Sequence, residues 1–359
     1  MRNGLKSIQV LRAIAATAVV FAHAKGHLLG FTEKYGIGNA WLNTIDTFNT
    51  GQCGVDIFFV ISGFIMAMVT SEAHQQQGAV KTFAEKRLIR IFPPYWFWTF
   101  ILLSLLLFFP QLFSVRTFEI KEAILSLLLV PYVPSGANTS PVLAVGWTLS
   151  YEMYFYALVC IGILFSRKAF IVGIGVFFLI TTIIFPQDYG PISNLTRNMI
   201  LWEFYAGVLL FEFFITGKQL SIPFSIILIF SAIFAFYYFS EEWDSPLRFV
   251  YWGIPAVALV AAFISLERET GTHFPKTAIL IGDSSYTLYL SHLITLPAIA
   301  KVFVVLGAHK VLPPDLQIIL YTIICILVGY ILYILTEKPI LNYFRKGKLI
   351  KAQPISSHP

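Results

Sequence analysis

Long apolar runs broken by short charged clusters set the plan of this chain. Roughly 20 consecutive apolar residues span a bilayer core. Runs near that length fall at 8–28, 53–70, 91–109, 120–133, 147–165, 169–185, 199–216, 222–239, 248–266, 279–307 and 316–336. The basic residues decide which of them cross. Lys338, Arg345, Lys346, Lys348 and Lys351 follow the last run, and Arg2 and Lys6 precede the first. The positive-inside rule then places both termini in the cytoplasm, which requires an even number of crossings. The run 120–133 is the shortest, opens on Lys121-Glu122 and closes at Pro131 and Pro134. Read as a re-entrant or interfacial helix, it leaves ten crossings. The basic loops 71–90 and 267–277, with Arg167-Lys168 and Lys218, then fall inside, and the acidic Glu241-Glu242-Trp243-Asp244 falls outside. The predicted fold is all-α, a polytopic membrane bundle of ten transmembrane helices plus one re-entrant or interfacial helix. It occupies residues 1–346 and leaves a short, disordered cytoplasmic tail over 347–359.

Composition supports that class. Of 359 residues, 57% are hydrophobic and 12% charged, where soluble domains carry about 25% charged residues. The formal net charge of +6 sits in short loops between spans, where it sets orientation, so nucleic acid is not an expected partner. Cys53, Cys160 and Cys325 are odd in number and widely spaced, which excludes a disulfide framework and a CxxC metal site. No metal is expected. Arg12 splits the apolar stretch of residues 1–24, so the first run reads as a retained span rather than a cleaved signal.

Ionisable residues at membrane depth are costly and face the bundle interior. Arg12 and His23 are 11 residues apart, close to three helical turns, so they share one face about 16 Å apart along the axis. Asp56 enters its span from the outer side, as does Glu152 in the segment Trp147–Tyr156. With His23 they make a candidate outer cluster, in which a carboxylate orients the imidazole as general base for a hydroxyl. Arg87 and Arg90 are i, i+3 neighbours on one helical face, a spacing suited to gripping phosphates, although a stop-transfer cluster has the same look. His292 lies two turns after Ser285 on one face of its span, as a second polar group of a reaction path or a helix–helix hydrogen bond.

These segments carry a resemblance. Leu11-Arg12-Ala13-Ile14-Ala15 followed by His23, the Gly54–Phe64 block, Arg87-Leu88-Ile89-Arg90-Ile91-Phe92-Pro93, Trp147–Tyr156, Ser285–His292 and Glu337-Lys338-Pro339 form an ordered set. The set resembles the membrane acyltransferase 3 family, most closely bacterial O-acetyltransferases that modify exopolysaccharide or lipopolysaccharide O-antigen. The resemblance implies a bacterial inner-membrane enzyme with no permanently bound cofactor. Its donor substrate would be acetyl-CoA, reached from the cytoplasm, and its acceptor a hydroxyl of a glycan or glycolipid on the outer side. The family's essential arginine and histidine fall on Arg12 and His23, its WxLxxE-type glutamate on Glu152 and its RxxR-type pair on Arg87 and Arg90. Trp147, Tyr151, Ser285 and His292 join Arg12, Arg87 and Arg90 as expected substrate-binding groups, and His23, Glu152 and Asp56 are the expected catalytic ones. Direct transfer and a covalent acyl-histidine route both remain open, as does a succinyl or longer acyl group. The alternative reading is a transporter or flippase that moves a glycolipid or acyl species without chemistry.

Overall fold

The structure is a computed structural model describing residues 5–35, 50–109, 120–132, 141–184, 190–271 and 273–346. The tail 347–359, expected to be disordered, lies outside the described residues. All regular elements among the described residues are helical. They are α1 (Lys6–Tyr35), α2 (Cys53–Thr70), α3 (Ala79–Phe108), α4 (Ile120–Leu127), α5 (Gly146–Ile163), α6 (Arg167–Ile184) and α7 (Pro191–Arg197). There follow α8 (Leu201–Ile215), α9 (Ile222–Tyr238), α10 (Ile254–Thr270), α11 (Lys276–Val305), α12 (Ala308–Val311), α13 (Pro314–Leu332) and α14 (Lys338–Lys346).

Among the described residues, seven segments are long and apolar enough to cross a membrane: Lys6–Gly30, Cys53–Thr70, Ala79–Phe108, Pro191–Ile215, Phe249–Thr270, Lys276–Val305 and Pro314–Phe344. The other candidate spans of the sequence reading are α5, α6 and α9, of 18, 18 and 17 residues. The run 120–133 contains α4, which has 8 residues. At 1.5 Å per residue it is about 12 Å long, far short of a bilayer core of about 30 Å. The chain turns out of it at Leu129, whose φ is 56°.

Helix α3 departs from the sequence reading, which begins its span at 91 and leaves 71–90 as a loop. It starts at Ala79 and runs unbroken through Pro93 and Pro94. Each proline removes an N–H that would bond the carbonyl four residues back, here those of Ile89 and Arg90. Such breaks are tolerated in membrane helices where neighbours satisfy the disturbed backbone. Here the Tyr286 hydroxyl of α11 donates to Ile91 O at 3.0 Å. The basic pair therefore sits on a rigid helix aimed into the bundle.

The bundle centre is built on close backbone contact. α1 lies along α11, α11 along α13, and α2 packs against α1 and α8. Without a hydrophobic drive between helices in lipid, small residues that let backbones touch decide these interfaces. A Cβ on Gly63 would collide with Phe204 O, one on Gly207 with Val60 O, and one on Gly282 with Gln9 O. Two π-turns interrupt the ladder, Phe249–Gly253 ahead of α10 and Tyr333–Glu337 after α13. Each adjoins or ends on a charged residue, Arg248 and Glu337, turned into the protein, and π-turns often mark functional positions. Glu337 is buried at 2% exposure, and its Oε2 accepts from the Thr287 N–H at 3.1 Å and from the Thr287 hydroxyl.

Candidate active site

Between α1, α2, α3, α5 and α11 lies a cavity of about 330 Å³. α1 contributes Arg12 and Gln9, α3 Arg87 and Arg90, α5 Glu152 and Tyr156, and α11 Ser285, Tyr286 and Tyr289; apolar residues of α2 complete the wall. Five of the expected site residues, Arg12, Arg87, Arg90, Glu152 and Ser285, therefore meet in one space. Among the described residues none of the three arginines has a salt bridge. Arg12 reaches only Gln9 Oε1, at 3.5 Å, and Arg87 stacks its guanidinium over Phe83 and Tyr156 at 5.6 and 5.8 Å. Arg87 Nε and Ser285 Oγ are buried without a hydrogen-bond partner. Glu152, the one carboxylate lining the cavity, is occupied: its Oε1 accepts from Ser62 Oγ at 3.0 Å and from the Tyr156 hydroxyl. Along the cavity wall three guanidinium groups thus face one carboxylate, with buried Glu337 within electrostatic reach of Arg12 and Arg90.

His23 and His292 stand outside this space and face each other across α1 and α11. Their ring centroids lie 4.8 Å apart, edge to face. The Nδ1 of His23 lies 2.8 Å from Val19 O, and that of His292 lies 2.7 Å from Tyr289 O. A carbonyl only accepts, so in each ring Nδ1 carries the proton and the neutral imidazole keeps its lone pair on Nε2. The His292 Nε2 is buried and unpartnered. Along α11 the order is Ser285, Tyr289, His292, with rises of about 6 Å and then about 4.5 Å. Tyr289 is the step between cavity and histidine pair: it lines the one and its ring centroid lies 5.8 Å from that of His292.

The expected outer cluster of His23, Asp56 and Glu152 is divided among three places. Neither carboxylate orients His23; a main-chain carbonyl one turn back does. Asp56 is fully buried and held by Arg248, whose Nε and Nη2 donate to its two oxygens at 2.9 and 2.8 Å. Arg248 Nη1 donates to Trp243 O at 2.7 Å, and its guanidinium lies 5.0 Å from the Trp252 ring. The fully buried Glu203 of α8 adjoins the pair. With both oxygens bonded to a guanidinium, Asp56 does not reach His23, so the expected outer cluster is not assembled around it. Trp147 and Tyr151 stack around Phe59, a cavity-wall residue, at 6.5 and 6.2 Å, and so back the site rather than line it. The reading from sequence missed Arg248, Tyr289 and Tyr156. For Arg248 a signal existed: in the orientation predicted from the sequence it is an arginine at the outer end of a span, against the positive-inside pattern.

Residues 5–334 match the family of the acyltransferase domain. Over 313 residues the chain is 30% identical to the exopolysaccharide production protein ExoZ of Rhizobium meliloti (strain 1021), covering 84% of this chain and 92% of that protein. An uncharacterized protein of Haemophilus influenzae is 30% identical over 144 residues, 36% of this chain and 56% of its own length. No solved structure matches. An ordered set of motifs, a multi-pass helical bundle and a match over nearly the whole length converge: this chain belongs to the acyltransferase 3 family of membrane proteins.

Proposed function

We propose that the protein transfers an acetyl group from acetyl-CoA to a hydroxyl of an exopolysaccharide or its lipid-linked precursor, in the bacterial inner membrane. The exopolysaccharide assignment rests on the ExoZ relative. The donor assignment is carried by the cavity, where three guanidinium groups without salt bridges await a polyanion. Arg87 and Arg90 grip the phosphates of coenzyme A by paired N–H donors, and Arg12 meets the donor further along. The acyl end then points toward Tyr289. His23, with its proton fixed on Nδ1, takes the acceptor's hydroxyl proton on Nε2. The alkoxide oxygen attacks the thioester carbon, the carbon–sulfur bond breaks and the thiolate leaves on the arginine side. In the covalent variant the His23 Nε2 attacks the thioester carbon and the carbon–sulfur bond breaks with loss of thiolate; the acceptor oxygen then attacks the acyl carbon, the Nε2–carbon bond breaks, and the acceptor's proton goes to the thiolate.

Charge-assisted contacts are worth about 1.5–3 kcal/mol each. Arg90→Ala is therefore expected to weaken acetyl-CoA binding by roughly tenfold to a hundredfold, at 1.4 kcal/mol per decade. Arg90→Lys should restore part of the loss, because the planar fork is gone. Calorimetry with acetyl-CoA on the purified protein, together with thiol release, checks both. Intact binding with no thiol release under any condition would favour a carrier without chemistry.

A further inference from the structure

We propose that the hydrogen bond between Tyr289 and Thr148 is the gate between the donor cavity and the histidine pair, and that the Tyr289 ring sets which acyl groups pass. This rests on the acyl transfer proposed above. The bond joins α11 to α5, with Tyr289 OH and Thr148 Oγ1 3.0 Å apart. Its direction follows from counting protons. Thr148 Oγ1 already donates its single proton to Val145 O at 2.9 Å. With that proton committed, the Tyr289 hydroxyl donates to Thr148 Oγ1, and Val145 O, 3.5 Å away, is a second acceptor within its reach.

Three observations make this contact a barrier. Tyr289 and Thr148 both line the cavity, so the bond closes part of its wall. Tyr289 also adjoins the histidine pair: its ring centroid lies 5.8 Å from that of His292, whose own ring is 4.8 Å from His23. Phe58, another wall residue, stacks edge-on against the same ring at 6.1 Å. An acyl group leaving the arginine end for His23 therefore meets a tyrosine ring, a phenylalanine ring and one neutral hydrogen bond. A single such bond is worth only about 0.5–1.5 kcal/mol net, enough to keep water out at rest and weak enough to open in turnover. Two aromatic walls leave an acetyl group room where a butyryl chain must displace a ring. Hydrophobic pockets discriminate single methylenes by about 10-fold to 200-fold.

The test uses full-length protein in lipid nanodiscs, with acetyl-CoA and butyryl-CoA as donors and thiol release as readout. It adds transfer of radiolabelled acyl groups into glycan in membranes of the parent cells. The parent is expected to prefer acetyl over butyryl by at least tenfold in kcat/KM. Tyr289→Ala should reduce that preference at least tenfold, and Phe58→Ala should move it the same way. Tyr289→Phe and Thr148→Val keep the volume but break the bond, and should raise acceptor-independent thiol release at least threefold. Acetyl-CoA binding by each variant verifies that it is folded. An unchanged acyl preference in Tyr289→Ala, or parental thiol release in both conservative variants, overturns the gate. A parent that releases no thiol from either donor and also labels no glycan in membranes overturns the acyltransferase reading instead, so the two failures are separable.

Discussion

The imidazole of His23 bonds a carbonyl of its own helix, so its tautomer is fixed by α1 alone. General base catalysis contributes about 10²–10⁴-fold. His23→Gln is expected to lower glycan acetylation by that factor while acetyl-CoA affinity stays within about twofold, since the arginines lie elsewhere in the bundle. Mass analysis of the glycan at matched expression checks this, and near-parental acetylation would make His23 a helix cap. At this scale the arginines and histidines were legible because ionisable side chains in a span are too costly to be incidental. Tyr289 and Thr148 were not. Hydroxyls are ordinary in membrane helices, and this pair is separated by 141 residues, a distance that no local pattern spans.

Among elements, α2 shows how a residue's meaning changes with its neighbours. From the sequence Asp56 reads as a catalytic carboxylate, and the pairing across α2 and the turn before α10 gives it a guanidinium partner instead of His23. Removing one partner of a buried ion pair typically costs about 3–5 kcal/mol, because the other charge is stranded. Arg248→Gln should therefore lower the thermal midpoint in detergent markedly. The double variant Asp56→Asn with Arg248→Gln should recover much of the loss. An Arg248→Gln protein that melts like the parent would show the pair to be dispensable. The length of α3 was likewise hidden, because its first turns carry Lys81, Glu85, Lys86, Arg87 and Arg90 and so fall outside any apolar run. The Tyr286 hydroxyl that bonds Ile91 O in this stretch comes from 195 residues away.

For the whole molecule, the all-helical, multi-pass class followed from apolar runs and loop charge, and of the run 120–133 the described residues hold the eight-residue α4. The ten-crossing arrangement, with both termini inside, is open to direct test. A cysteine at Glu241 is expected to react with an impermeant maleimide from outside the cell, and one at Lys81 only after permeabilisation. The reverse labelling would invert every assignment of inner and outer ends.

The Asp56–Arg248 pair also bears on how the protein is made. Its partners are 192 residues apart, and chains grow at roughly 5–20 residues per second, so Asp56 leaves the ribosome about 10–40 s before Arg248 exists. During that interval the nascent α2 carries a carboxylate with no guanidinium to meet it. The early helices must then wait near the translocon, with Asp56 in water or protonated, until the segment ahead of α10 arrives. A chain ended before Arg248 never completes that step and keeps Asp56 without its guanidinium.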